Sequence, residues 1–76
     1  MKDILETIIL NLVEDKDSVT IKETEKDRTT VFEVKVAEKD LGKVIGKQGK
    51  IARSIRTVMK SVAGKEHKKV SVEFVE

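Results

Sequence analysis

The chain has no cysteine, no proline, no tryptophan and no tyrosine, and a single histidine, His67. Without cysteine there is no disulfide staple, and one histidine cannot build a zinc site. Such a chain fits a reducing compartment, and a cytoplasmic location is expected. No stretch approaches the ~20 apolar residues of a membrane span. The segment Met1–Val13 carries Lys2, Asp3 and Glu6 and lacks a small-residue cleavage site, so it does not read as a signal peptide and no membrane partner is expected. With Phe32 and Phe74 as the only aromatics, a platform that stacks bases on aromatic rings is ruled out. Asn11 and Gln48 are each the sole residue of their kind, a composition that leans thermophilic. Catalytic constellations are missing too. His67 stands between Glu66 and Lys68, Ser54 and Ser61 have no base near them in sequence, and the carboxylates are scattered. Neither an enzyme nor a bound cofactor or metal is expected.

What remains is 76 residues, 39% of them charged, with regularly recurring aliphatics. That length makes one domain, residues 1–76. A domain of this size buries only about 60% of its unfolded surface, so a partner chain would help it. Leu10 and Val75 fall off the expected core faces, which makes a homodimer the expected form of that help. The net charge of +2 hides an asymmetry. From Leu41 to Lys65 there is no acid, while Lys43, Lys47, Lys50, Arg53, Arg56, Lys60 and Lys65 supply seven positive charges. The rest of the chain holds nine basic and fourteen acidic residues, a balance of −5. A cationic segment on a nearly neutral body points to a polyanion as partner.

Apolar periodicity supplies the elements. Ile4, Leu5, Ile8, Ile9, Leu12 and Val13 mark an amphipathic helix, followed by a polar turn at Glu14–Asp17. Val19 and Ile21 alternate with polar residues in a strand over Ser18–Thr24, and Phe32, Val34 and Val36 do so over Thr29–Val36. The short link Glu25-Lys26-Asp27-Arg28 makes these an antiparallel hairpin. Asp40 caps a short helix with Leu41, Val44 and Ile45 on its inner face. A longer helix runs from about Lys50 to Val62, burying Ile51, Ile55, Val58, Met59 and Val62, and Gly64 stops it. The last strand covers about Lys68–Val75, with Val70, Val72 and Phe74 inward. A strand–helix–helix–strand crossover makes that strand parallel to its neighbour. The fold class is α+β, in the order α-β-β-α-α-β, with three helices on one face of a mixed three-stranded sheet and the other face wet.

Between the two later helices lies Gly46-Lys47-Gln48-Gly49. Two glycines three apart let the backbone turn sharply and expose its N–H groups, and Gly49 opens a helix whose positive end attracts phosphate. Lys47 and Lys50 add full charges there. The spacing matches neither the dinucleotide fingerprint nor a triphosphate-binding loop. Arg53, Arg56 and Lys60 share one face of the long helix and continue the cationic stripe.

With this G-x-x-G loop at the expected place, the chain from Met1 to Val75 resembles a type II KH domain. The run from Asp40 to Ile51, followed by Ile55-Arg56, is similar more narrowly to the small stand-alone bacterial KH proteins of the KhpA family. The resemblance implies a clamp on about four nucleotides of single-stranded RNA. It would be held by Gly46, Lys47, Gln48 and Gly49, with Lys43, Val44 and Ile45 before the loop and Lys50, Ile51, Arg53 and Arg56 after it. Aliphatic residues, rather than rings, would accept the bases. It also implies RNA-chaperone activity, a heterodimer with a larger KH protein of the KhpB/Jag type, and a part in cell elongation and cell-wall growth. The competing expectation is a protein–protein adaptor on the same scaffold.

Overall fold

The computed structural model describes residues 1–75. Helix α1 spans Lys2–Leu12, strands β1 and β2 span Thr20–Lys26 and Thr29–Lys35, helices α2 and α3 span Glu38–Ile45 and Lys50–Lys65, and strand β3 spans Lys69–Val75. Single 3-10 turns at Lys16–Ser18 and Lys47–Gly49 join α1 to β1 and α2 to α3. The strand order is β1-β2-β3, with β1 antiparallel and β3 parallel to β2. This is the expected α-β-β-α-α-β arrangement of a type II KH domain.

The hairpin is tighter than its composition suggests. Lys26 pairs with Thr29, so only Asp27 and Arg28 form the turn, at φ 50° and 65°. Two consecutive left-handed residues match the right-handed twist of the flanking strands. Period-two alternation on β2 sends Thr30, Phe32 and Val34 inward, continued by Val36. Cross-strand pairing sets Ile21 and Phe74 beside Val34, and Val72 beside Phe32. Leu5, Ile9 and Val13 of the first helical segment, Val44 of α2, and Ile55 and Met59 of α3 close the core over that face.

Several expectations about individual residues are corrected. Ile4 and Val58 are 42% and 44% exposed, not core. On α3 the inward places are filled by Ala52 and Ala63 beside Ile55 and Met59, small residues that let the helix approach the sheet closely. Asp40 does not cap α2, which begins at Glu38 after Ala37. It sits in the first turn, fully buried, and its two carboxylate oxygens accept the backbone N–H groups of Glu14 and Asp15 at 3.1 and 3.0 Å. Gly64 does not stop α3. The helix runs on to Lys65, and His67 takes the left-handed conformation at φ 57°. The N–H of His67 then donates to Gly64 O and that of Lys68 to Ala63 O, the paired bonds of a Schellman ending. Ser18 belongs to the 3-10 turn rather than to β1. Phe74 is only half-buried, unlike Phe32.

Candidate nucleic-acid interface

The chain leaves α2 through Gly46, whose φ of 76° and ψ of 174° lie in a region open essentially to glycine alone. A Cβ there would also stand 2.6 Å from Ile51 Cγ1 and 2.9 Å from the Ile51 backbone nitrogen. Gln48 and Gly49 follow at φ 57° and 74°, both left-handed, and Gly49 N–H donates to Gly46 O at 3.2 Å. The peptide therefore reverses within four residues and enters α3, where the Lys50 N–H donates back to Lys47 O and the rest of the first turn has N–H groups without intrahelical partners.

That helix start differs from the other two. The first turn of α1 contains Asp3 and that of α2 contains Glu38 and Asp40, each acid complementing the positive helix pole. The first turn of α3 contains no acid, its N-cap is glycine, and no side chain caps it. Lys50 and Arg53 stand there instead, cations at a positive pole. This arrangement costs stability unless an anion from outside completes it.

The structure divides the expected site residues into groups. Lys47, Gln48, Lys50 and Arg53 are exposed on the loop and the first turn of α3. Val44 is fully buried in the core, and Ile45 and Ile51 are half-buried against it, supporting the loop from below. Lys43 turns away from the loop to Glu14 Oε1 at 2.6 Å and Asp40 Oδ1 at 3.5 Å. Its hydrogen bond to Glu14 raises the lysine above its ordinary value and lowers Glu14. Asp40 is lowered chiefly by the Asp15 N–H bond. Lys43 is thus already neutralised, whereas Lys47, Lys50, Arg53, Arg56 and Lys60 form no ion pair with a described residue.

Arg56 reaches β3, where its Nε donates to the Val72 carbonyl at 3.1 Å and its guanidinium lies 5.7 Å from the Phe74 ring centre. Alongside runs a groove between α3 and β3. One part, of about 130 Å³, is lined by Arg56, Lys60, Val70, Ser71 and Val72. The next, of about 290 Å³, shares Lys60 and Val70 and adds Ala63, Lys68 and Lys69. Because β3 is an edge strand, one side of its backbone has no strand partner and faces this groove. From Lys50 to Lys60 the cationic stripe extends about 15 Å along α3.

The sequence places Lys60 on the cationic face by its spacing to Arg56 but does not bring it into the loop's contact set, and it leaves out Lys68, Lys69 and the backbone of residues 70–72, since strand order is not written in local pattern. A wider concavity, about 700 Å³, opens elsewhere, around Ser18, Thr20, Lys35, Val36 and Leu41. It holds Lys35 with Glu38 opposite and none of the loop residues, so it is a poor match for a polyanion.

A family model described as KhpA/KhpB, KH domain, matches residues 2–74. Similar curated proteins carry the name RNA-binding protein KhpA. That of Clostridium acetobutylicum is 51% identical over 75 residues, covering 99% of this chain and 100% of its own. The Clostridium perfringens protein is 47% identical over the same spans, and the Aquifex aeolicus protein is 45% identical over 100% of this chain and 96% of its own. Among solved structures, Aquifex aeolicus Era bound to GDP and AlF4 superposes with a TM-score of 0.64 at 20% identity. The match covers 95% of this chain and 28% of the Era chain, and it bears on the fold alone.

Proposed function

The chain belongs to the KhpA/KhpB family of KH domains, and from that premise we propose that it binds single-stranded RNA through the G-x-x-G loop and the groove between α3 and β3. The observation that carries this reading is the start of α3: a glycine-built reversal, no acid in the first turn and no side-chain cap, with Lys47, Lys50 and Arg53 around it. One phosphate would complete the helix pole, and the cations of α3 would take those that follow. Bases would turn toward the edge of β3, meeting its backbone and the half-buried side chain of Val70, while the Val72 side chain stays in the core. A duplex, with its bases already paired, does not suit a groove that reads bases against a strand edge.

The reading is of a binding module without catalysis, acting in the cytoplasm as an RNA chaperone or post-transcriptional regulator. The likeness of residues 40–56 to the family supports the further proposal of a KhpB/Jag-type partner and a role in cell elongation. Self-association is proposed on the exposure of Ile4 and Val58, apolar side chains open to a second surface, since Leu10 and Val75, on which it was expected, are half-buried.

The test combines charge reversal with salt. Lys47→Asp together with Gln48→Asp puts two anions where phosphate should sit and leaves both glycines in place. Near-complete loss of binding to single-stranded RNA is expected, with little change in melting temperature. For the unaltered chain, three or four phosphate contacts predict a slope of log K against log salt of roughly −2 to −3. Unchanged affinity in the double variant, or a slope near zero, would remove the loop from the mechanism and favour the adaptor.

A further inference from the structure

The Glu14–Lys43 ion pair stands beside the proposed RNA site and takes no part in it. Lys43 lies in the last turn of α2, and Gly46 still closes that turn by donating its N–H to Gly42 O at 2.9 Å. Residues three apart on a helix are surface neighbours, so the Lys43 side chain starts beside the first glycine of the loop. Its ammonium nevertheless sits on Glu14 Oε1, at 2.6 Å. Asp40 does not hold it comparably. Its Oδ1 is 3.5 Å from the ammonium, and its two oxygens already accept the N–H groups of Glu14 and Asp15. Made by a fully buried carboxylate, those bonds fix the backbone of Glu14 and set its side chain within reach of Lys43. The pair itself is open to water, with the Lys43 side chain 43% and the Glu14 side chain 67% exposed. An ion pair so exposed is weak and can be undone by one substitution without disturbing the core.

Resting on the RNA reading above, we propose that Glu14 is an internal competitor for the RNA backbone. It holds Lys43 away from a phosphate and so keeps the affinity of the site below what its cations could give. A strand lying across Lys47 and the start of α3 brings its phosphates past Gly46, where an unpaired ammonium at Lys43 would attract one of them. Paired with Glu14, the same ammonium presents no net charge. Moving it to a phosphate would leave a bare carboxylate beside an anionic strand, so one attraction is exchanged for another and a repulsion is added. Nor is a counterion released on balance, because Glu14 would take one up. Lys47, Lys50 and Arg53 face no such rival among the described residues, so they carry the binding and Glu14 trims it.

The experiment is a double-mutant cycle on the full chain, read by fluorescence polarisation with a random-sequence single-stranded RNA dodecamer over a range of salt. Glu14→Gln keeps the size of the side chain and removes its charge. It should tighten binding about two- to fivefold at low salt. The slope of log K against log salt should steepen by about 0.7, the share of one further phosphate. Losing any acid favours RNA to some degree, and Lys39 also lies within the field of Glu14. The same change is therefore made on a Lys43→Ala chain, where both the gain and the steeper slope should vanish. Lys43→Gln, which keeps part of the stem and can still donate to Asp40, replaces the alanine variant if melting curves show that one to be unfolded. A gain that persists without Lys43 is a general charge effect and overturns the proposal. So does a Glu14→Gln chain whose affinity and slope match those of an unaltered chain that binds with the slope given above. If the unaltered chain does not bind the RNA at all, the RNA reading fails and this proposal fails with it.

Discussion

The two glycines of the loop look equivalent in sequence and are not. Gly46 combines a backbone region reserved for glycine with a Cβ position 2.6 Å from Ile51, whereas Gly49 is left-handed with nothing within 4 Å of its Cβ direction. Gly49→Ala should therefore cost about 1 kcal/mol, the penalty of a left-handed residue bearing a Cβ. Gly46→Ala adds a clash and should cost about 3 kcal/mol or more. In a domain of this size the second loss would unfold much of the population at moderate temperature. Urea titrations of the two variants measure the difference, and equal midpoints would contradict it. Arg56 makes a related point. Its charge was visible in the sequence, but its engagement with Val72 and Phe74 was not.

At the scale of the element, α3 carries the tension between stability and binding. It is the longest helix, it packs against β3, and it starts without the acid that α1 and α2 both have. Lys50→Glu would complement the helix pole and should stabilise the fold by about 0.3–1 kcal/mol, raising the melting temperature by a few degrees. The same change should sharply weaken RNA binding by placing an anion where the first phosphate is expected. Opposite signs in the two measurements are the expected outcome, and a variant that gains stability without losing affinity would separate the helix pole from the site. The far end of α3 is also unlike its expectation, since His67 rather than a glycine adopts the left-handed turn. Backbone bonds to Gly64 and Ala63 hold it there.

For the whole molecule, the decisive contact is the one that joins the end of α1 to α2. Asp40 accepts from the backbone of Glu14 and Asp15, and Lys43 bridges to both Asp40 and Glu14. Both carboxylates are held below their ordinary values and the lysine above its own. A lowered carboxylate adds stability that is complete above the ordinary range near 4 and is lost as the pH falls through the lowered value. A raised lysine adds stability that is complete below about 10.4 and is lost as the pH rises past it. The cluster should thus support the fold across neutral pH and fail at both extremes. Asp40→Asn should lower the melting temperature by several degrees at pH 7, and the gap to the unaltered chain should close as the pH falls below the ordinary carboxylate range. A gap that stays constant with pH would show that the charge of Asp40 contributes nothing. By occupying Lys43, the cluster also removes one cation from the count available to phosphate.

Local pattern determined most of the architecture. Alternation on β2, the apolar stripe of α1 and the glycine break at residues 46–49 are short-range properties, set by side-chain periodicity and by where a backbone can turn. The acid-free stretch from Leu41 to Lys65 likewise marked the cationic face proposed to bind RNA, because charge is additive along a chain. Tertiary structure decided the rest. Which apolar residues of α3 face inward depends on how close the helix comes to the sheet, which favoured Ala52 and Ala63 over Val58. Whether a lysine is free depends on which carboxylates the fold brings to it, and Glu14 is far from Lys43 in sequence. The groove itself exists only because β3 lies at the edge of the sheet beside α3, a pairing between residues remote along the chain that no local signal encodes.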